Sequence, residues 1–428
     1  MVGASPLRRR LSAAACMLAT AGIARTARAQ SWQLDGSALV YGEKARTNVV
    51  EPVARITRLF GNGANLYSQL TFDSMTGATP TGAVVTRTTQ TTTSASGTTH
   101  TNTVGTLPTS PFSDNRFALD LGGAMPLGLV TPQTAIHLSH EKDYQSAGIS
   151  GSLGIDAPGH LTTLTVGGGY NRDEVNPIGG IPVGLTSSDV TGESSRPKDV
   201  TTAIAGLSRV LSRRLLVGAN FSVMHETGYL TEPYKVVSIV DPNATPSLGD
   251  DGLANAPTST LASETLIHEN RPSERWRRNV YTTGVYHLTA DIVYLSYRYY
   301  WDDWNIQSHT MDVKVRHDLP EQHAWIQPHI RFYTQTQARF FTFGLLTGEP
   351  IPEFASSDQR LGPLRTATLG ATYGFRPSDV PGELTIRAEY LHQWGKTPSS
   401  SDVAPPDGVD LFPPLDIGTL LVGYSLQF

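Results

Sequence analysis

The sequence predicts an all-β chain: a transmembrane antiparallel β-barrel of about sixteen strands, with short periplasmic turns and long extracellular loops. Three observations predict it. Residues 275–333 break into four strand-length segments with a two-residue hydrophobic period. The long connections between strands all fall on one side when the strands are counted. The last segment, residues 417–428, alternates again and ends on Phe428.

The alternation is clearest in residues 292–301. Val293, Leu295, Tyr297, Tyr299 and Trp301 share one face, while Tyr294, Ser296, Arg298 and Tyr300 share the other. Successive side chains of a strand point to opposite faces, so one face is wholly apolar and aromatic. Residues 323–333 repeat this, with Ala324, Ile326, Pro328, Ile330 and Phe332 against His323, Gln327, His329 and Arg331. A soluble sandwich would also alternate. Arginines and histidines in mid-strand, with aromatics gathered toward strand ends, instead suit lipid outside and water inside. Leu295, Tyr297, Leu420 and Val422 are therefore expected to meet lipid, with Arg298 inside.

At the N-terminus, Arg8-Arg9-Arg10, an alanine-rich run over residues 11–23 and Ala27-Arg28-Ala29 read as a secretory signal over residues 1–29. The barrel is then residues 30–428. Cys16, the only cysteine, leaves with the signal, which removes disulfide and thiol chemistry. Five arginines leave with it and no acid, taking the net charge from −5 to −10 and disfavouring nucleic acid. No segment has the roughly 18 unbroken apolar residues of a spanning helix.

Strands are expected at 32–41, 51–60 and 65–72, before a Thr/Ser/Gly-rich polar loop over 75–114. Four more follow at 115–125, 133–142, 145–154 and 161–172, then a loop over 173–198. Strands 199–208 and 215–225 precede a loop over 226–274, inside which residues 234–240 could pair locally. After the four segments of 275–333 comes a loop over 334–363 bearing Phe340-Phe341-Thr342-Phe343. Strands 364–375 and 383–394, a Pro-rich loop and residues 417–428 complete the chain. Of the fifteen connections, the long ones are the third, seventh, ninth, thirteenth and fifteenth, all odd. With both ends of the mature chain in the periplasm, every odd connection is extracellular. Gly423, Leu426 and Phe428 resemble the closing signal read by the outer-membrane assembly machinery, an expected partner alongside the lipid itself.

Several stretches resemble one family, the outer-membrane proteins grouped as domain of unknown function 3570. They are Ser113-Asp114-Asn115-Arg116, residues 139–144, residues 228–235, and Arg271-Pro272 with Arg275. Tyr297-Arg298-Tyr299-Tyr300-Trp301-Asp302-Asp303-Trp304-Asn305-Ile306, residues 331–335 and residues 357–361 complete the set. The resemblance implies an outer-membrane barrel of a Gram-negative bacterium and no particular activity.

Candidate chemistry is sparse. Asp302 and Asp303, adjacent at a tight link, could bind a cation or simply make a turn. As an acid/base pair they would need a His-Asp partner, and the only sequence neighbours of that kind, His317-Asp318, sit at the other end of the next strand. His137 and Ser139 have the spacing of an outer-membrane phospholipase pair, but Ile136 and Leu138 take the lipid parity, leaving His137, Ser139 and Glu141 for the lumen. Arg298, Tyr300, Asp312, Lys314, His329 and Arg331, with Glu389, read either as a charge-selecting eyelet or as an ion-pair network that stiffens the wall. His309, His317, His323 and His329 lack zinc-ligand spacing. No nucleotide or haem motif is present, so no cofactor is expected. The resulting expectation is a non-enzymatic, porin-like channel or transport component for small solutes or cations. The alternatives are a plugged surface scaffold or adhesin, and an outer-membrane hydrolase.

Overall fold

The computed structural model describes residues 31–85, 90–97, 99–102, 106–187, 189–241, 264–378, 380–395 and 410–428. The signal-peptide reading lies outside the described residues. Sixteen strands close into one barrel in strict sequence order. They are β1 (Ser31–Glu43), β2 (Thr47–Leu59), β3 (Asn65–Pro80), β4 (Thr109–Ala124), β5 (Val130–His140), β6 (Tyr144–Asp156), β7 (Thr162–Val175) and β8 (Arg196–Ser212). The ring continues with β9 (Leu215–Gly228), β10 (Glu274–His287), β11 (Asp291–Asp302), β12 (Gln307–Leu319), β13 (Ala324–Gln335), β14 (Leu364–Phe375), β15 (Glu383–Trp394) and β16 (Leu415–Gln427). β1 pairs with β16 from Gln33↔Gln427 to Glu43↔Ile417, so every barrel strand has two neighbours and no edge is left open.

Alternation sets the facing as the sequence predicts. Leu295, Tyr297, Leu420 and Val422 are exposed on the outer surface. Leu70, Phe117, Ile149, Phe332 and Leu369 are exposed there too, and so large an apolar surface is stable only against lipid. Trp276 and Trp394 lie near the loop end of this band, Trp32 and Tyr286 near the turn end, as girdle aromatics do. Among the described residues, no helix is long and apolar enough to cross a membrane.

One expectation needs correction. Residues 75–114 are not simply a loop: β3 runs on to Pro80 and β4 begins at Thr109, paired down to Pro80↔Thr109. The polar composition marks a hairpin that rises clear of the membrane, where lipid no longer demands apolar residues. Between these strands a small hairpin pairs Gln90–Thr93 with Thr99–Asn102. The loop over 334–363 packs against the link between β11 and β12. Its Phe340 and Phe341 pack with Trp304, Ile306, Ala338 and Leu361.

The long loops share a core instead. Val236–Val240 pairs with Glu264–His268, within the same loop, and with Leu345–Leu346 of the loop after β13. Val84 and Val85 (after β3), Val240 (after β9) and Leu411 (after β15) form one buried cluster. Those three loops spring from points spread around the ring, so residues that meet from all three must meet over the mouth. The loops therefore form a cap. Gly228, with φ 101°, turns the chain from β9 into it; a Cβ there would lie 2.4 Å from the Pro197 carbonyl oxygen.

Candidate functional site

Among the described residues, three clusters of ionisable side chains stand out: two patches of the lumen wall and one at the heart of the cap. On β2–β5 and the link that follows, Arg116 contacts Asp73 through an ion pair and lies 3.6 Å from Glu51 and 4.0 Å from Glu141. Strand register explains this, since Asp73 pairs directly with Arg116. One register step toward the loops, Asp114 lies within 4.8 Å of Glu141 and Asp143, measured between their ligand atoms. This buried trio is the acidic group with cation-sharing geometry among the described residues. Asp143, in the link between β5 and β6, is pushed up to about 6 by burial, with Asp114 and Glu141 adding repulsion. Lower on this wall, His137 Nδ1 lies 2.6 Å from Asp120 Oδ1.

Across the barrel, β11–β13 bring the expected eyelet residues together. His329 sits between two carboxylates, with Nε2 2.7 Å from Asp312 and Nδ1 2.8 Å from Glu389. Each ring nitrogen thus faces a carboxylate oxygen at hydrogen-bond distance. Lys314 lies 3.6 Å from the other Asp312 oxygen. Arg331 is the direct register partner of Asp312, and Arg298 lies over the Tyr281 ring at 5.9 Å from its centroid. Tyr300 donates to Asp302 at 2.7 Å.

Asp302 and Asp303 stand at the turn between β11 and β12, and their carboxylates meet different protein partners. Asp302 takes Arg275 Nε at 2.9 Å and the Ile306 amide at 2.8 Å, while Asp303 accepts the Trp276 amide at 3.0 Å. The two carboxylates serve different partners because one is buried inward and the other exposed. His–carboxylate pairs are also more numerous than the sequence neighbours indicated. His317 bonds Asp291 at 2.7 Å and His392 bonds Asp416 at 2.7 Å, in each case across strands.

The residues that sequence reasoning did not single out are in the cap. Arg271 lies 2.6 Å from Glu269 and 2.8 Å from Asp358; Arg360 lies 2.9 Å from Glu232 and 2.7 Å from Asp358. Burial alone would raise the Asp358 carboxyl, but Arg360 and Arg271 hold it well below the usual carboxylate range. Burial, with repulsion from Asp358, raises Glu269 in spite of Arg271. Lys235 is also buried and donates to Thr79 Oγ1 at 2.9 Å, tying this cluster to the β3 hairpin. A signal was available: Glu232, Lys235, Arg271, Asp358 and Arg360 all lie in the stretches that carry the family resemblance. So do Asp114, Arg116, Glu141 and Asp143. Pieces far apart in sequence converge at the loop end.

Among solved structures, the chain is similar to the outer membrane protein OpdK of Pseudomonas aeruginosa, at 10% identity and TM-score 0.41, covering 94% of this chain and 99% of that one. It is similar to a loop-deletion mutant of OmpT, an outer membrane protein of Vibrio cholerae, at 8% identity and TM-score 0.39, covering 94% and 100%. A mutant of the ferric enterobactin receptor of Pseudomonas aeruginosa aligns at 10% identity and TM-score 0.42, over 93% of this chain and 60% of that one. No curated protein matches the sequence. The family profile described as Protein of unknown function (DUF3570) matches residues 8–426, and the chain belongs to that family.

Proposed function

We propose that the protein is a channel for small solutes in the outer membrane of a Gram-negative bacterium, with its extracellular mouth restricted by the loop cap. One observation carries this reading. The inward face of a closed sixteen-strand barrel bears ionisable side chains from Asp120 and Lys314 up to Glu141 and Asp302, while its outward face is apolar. A barrel this wide is not filled by its own side chains, and charges on its inner wall call for water. Phe428 fits this setting, as the expected recognition point for the assembly machinery.

The second reading, a plugged surface scaffold, draws support from the cap, whose loops are cross-linked by a sheet and by ion pairs. The hydrolase reading gains little. Asp120 does orient His137, but His137 and Ser139 share the lumen face, away from lipid.

Planar-bilayer conductance separates the two main readings. The full chain is expected to conduct in small steps, with a modest cation preference from its negative net charge that fades as salt shortens the screening length. Replacing residues 337–362 with a short linker should enlarge the steps. Silence from both proteins overturns the channel and leaves the scaffold.

A further inference from the structure

We infer that Asp114, Glu141 and Asp143 bind a calcium ion at the loop end of the barrel, where it clips the link between β5 and β6 to β4. The three residues offer carboxylate oxygens that all lie within 4.8 Å of one another. Crowded acids alone make no site. What calls for a ligand is one oxygen. Asp114 is 5% exposed, and its Oδ1 accepts the Asn115 amide at 2.8 Å. Its Oδ2 is buried and has no hydrogen-bond partner among the described residues. A buried carboxylate oxygen left in that state is costly, and a bound cation removes the cost.

Register brings the acids together. β4 and β5 are paired as far as Phe117↔His140, and three further steps along each chain set Asp114 across from Asp143. The Glu141 amide donates to the Tyr144 carbonyl at 2.8 Å, which closes the link tightly. Within it Glu141 and Asp143 are buried while Lys142 between them is exposed, its Nζ donating to the Ser96 carbonyl at 2.9 Å. Tyr234, from the loop after β9, donates to Asp143 and accepts the Ile178 amide at 2.9 Å, so the cluster also reaches the cap. Arg116 lies 4.0 Å from Glu141 and is ion-paired with Asp73. Glu141 is therefore a shared ligand, and Asp114 and Asp143 are the principal ones.

The donor set selects the ion. Carboxylate oxygens are hard ligands, suited to calcium or magnesium rather than to zinc. Calcium holds oxygens at about 2.3–2.6 Å, so two on opposite sides of it stand up to about 5 Å apart. It also accepts irregular sets completed by water, whereas magnesium demands a near-ideal octahedron at about 2.0–2.1 Å. A strand residue and two residues of a tight link make an irregular set, which fits calcium. Burial, with repulsion from Asp114 and Glu141, pushes Asp143 up to about 6, so the ion-free cluster holds a proton more tightly than separate acids would. Calcium binding displaces that proton.

Equilibrium dialysis against radioactive calcium tests the site on the refolded full chain, in an uncharged detergent after chelator treatment. Conductance plays no part in the measurement, so its outcome is separate from the channel reading. At about pH 8, where carboxylates are ionised, one equivalent should bind with a Kd of about 10⁻⁴–10⁻³ M, the range of extracellular calcium modules. Asp114→Asn should weaken binding by at least the roughly tenfold that even an outer-shell change costs a metal site. Asp303→Asn, at the other acidic link, should leave it unchanged. If Asp114→Asn fails to insert, Asp143→Asn takes the charge from the link instead of a strand and should show the same loss. Binding that Asp114→Asn and Asp143→Asn both retain, or that Asp303→Asn abolishes, puts the ion elsewhere and overturns the site. No binding at millimolar calcium overturns it as well, and leaves three acids that share a proton only.

Discussion

The cap and the barrel wall both bury charge, and they do so under opposite constraints. In the wall, a pleated strand fixes which residues face inward, and cross-strand register decides who meets whom. Asp312 meets His329, Lys314 and Arg331 because those positions are adjacent on neighbouring strands. In the cap the clustered charged residues lie outside the small sheet, and no strand register pairs them. Asp358 meets Arg271, 87 residues away, through the fold of two irregular loops. Yet Asp358 is only 3% exposed, whereas Asp120 on the wall remains partly open. The comparison teaches that charge at the open positions of the wall, such as Asp120, is cheap to rearrange because water is near, and that charge in the cap is structural because water is excluded.

The largest expected effect follows from that difference. Removing one member of a fully buried pair leaves its partner uncompensated, at a cost of about 3–5 kcal/mol. Asp358→Ala should therefore open the cap, seen as rapid proteolysis within residues 229–273 and 336–363, while the barrel stays folded by heat-modifiability. If cap and barrel melt together, the two regions are not separable and the contrast collapses.

Facing gives the next effect. Arg at the lipid-exposed Val422 should cost about 2–4 kcal/mol, whereas Ser296→Arg on the lumen face should be tolerated. Equal losses in denaturant unfolding would mean that inside and outside had been misassigned.

The smallest effect concerns pH, and its sign differs between two carboxylates outside the membrane. Asp358 is depressed in the folded protein, so its contribution is present above the unfolded value and disappears only as pH falls through the folded one. Asp143 is raised from 3.8 to about 6, so the folded state holds its proton more tightly and stability is lost as pH rises across that interval. Hydrogen exchange in the link 141–143 should accelerate over that interval beyond the intrinsic rate, and Asp143→Asn should remove the excess. A flat profile in the wild type would argue against a shared acidic pocket there.

These two regions were also unequally legible in the sequence. The strand count, the facing of Arg298 and Leu295 and the side of every long loop follow from a period of two and from parity, both local properties. Asp312, His329 and Arg331 could be placed on one wall because register is nearly set by short turns. The cap was not legible. Residues 75–114 are poor in large apolar residues, and nothing in a Thr/Ser tract announces that Val84 and Val85 will be buried against Val240 and Leu411. The Asp302-Asp303 pair was only partly legible for a related reason. Adjacency in sequence left both a turn and a shared cation open, and the backbone sends one carboxylate to Arg275 and the other to the Trp276 amide.

The seam between β1 and β16 has a consequence in time. Trp32 and Phe428 exchange backbone hydrogen bonds at 2.7 and 2.9 Å, so the strand made first finds its second neighbour only in the strand made last. Until then β1 presents a full row of unsatisfied donors and acceptors, and hairpin after hairpin must wait beside it. Contacts of such sequence separation form slowly, and an exposed strand edge is the surface most prone to pairing with the wrong chain. The polypeptide must therefore be sheltered for the whole interval between its first strand and its last, and a delay anywhere along the ring lengthens the exposure of the same opening strand.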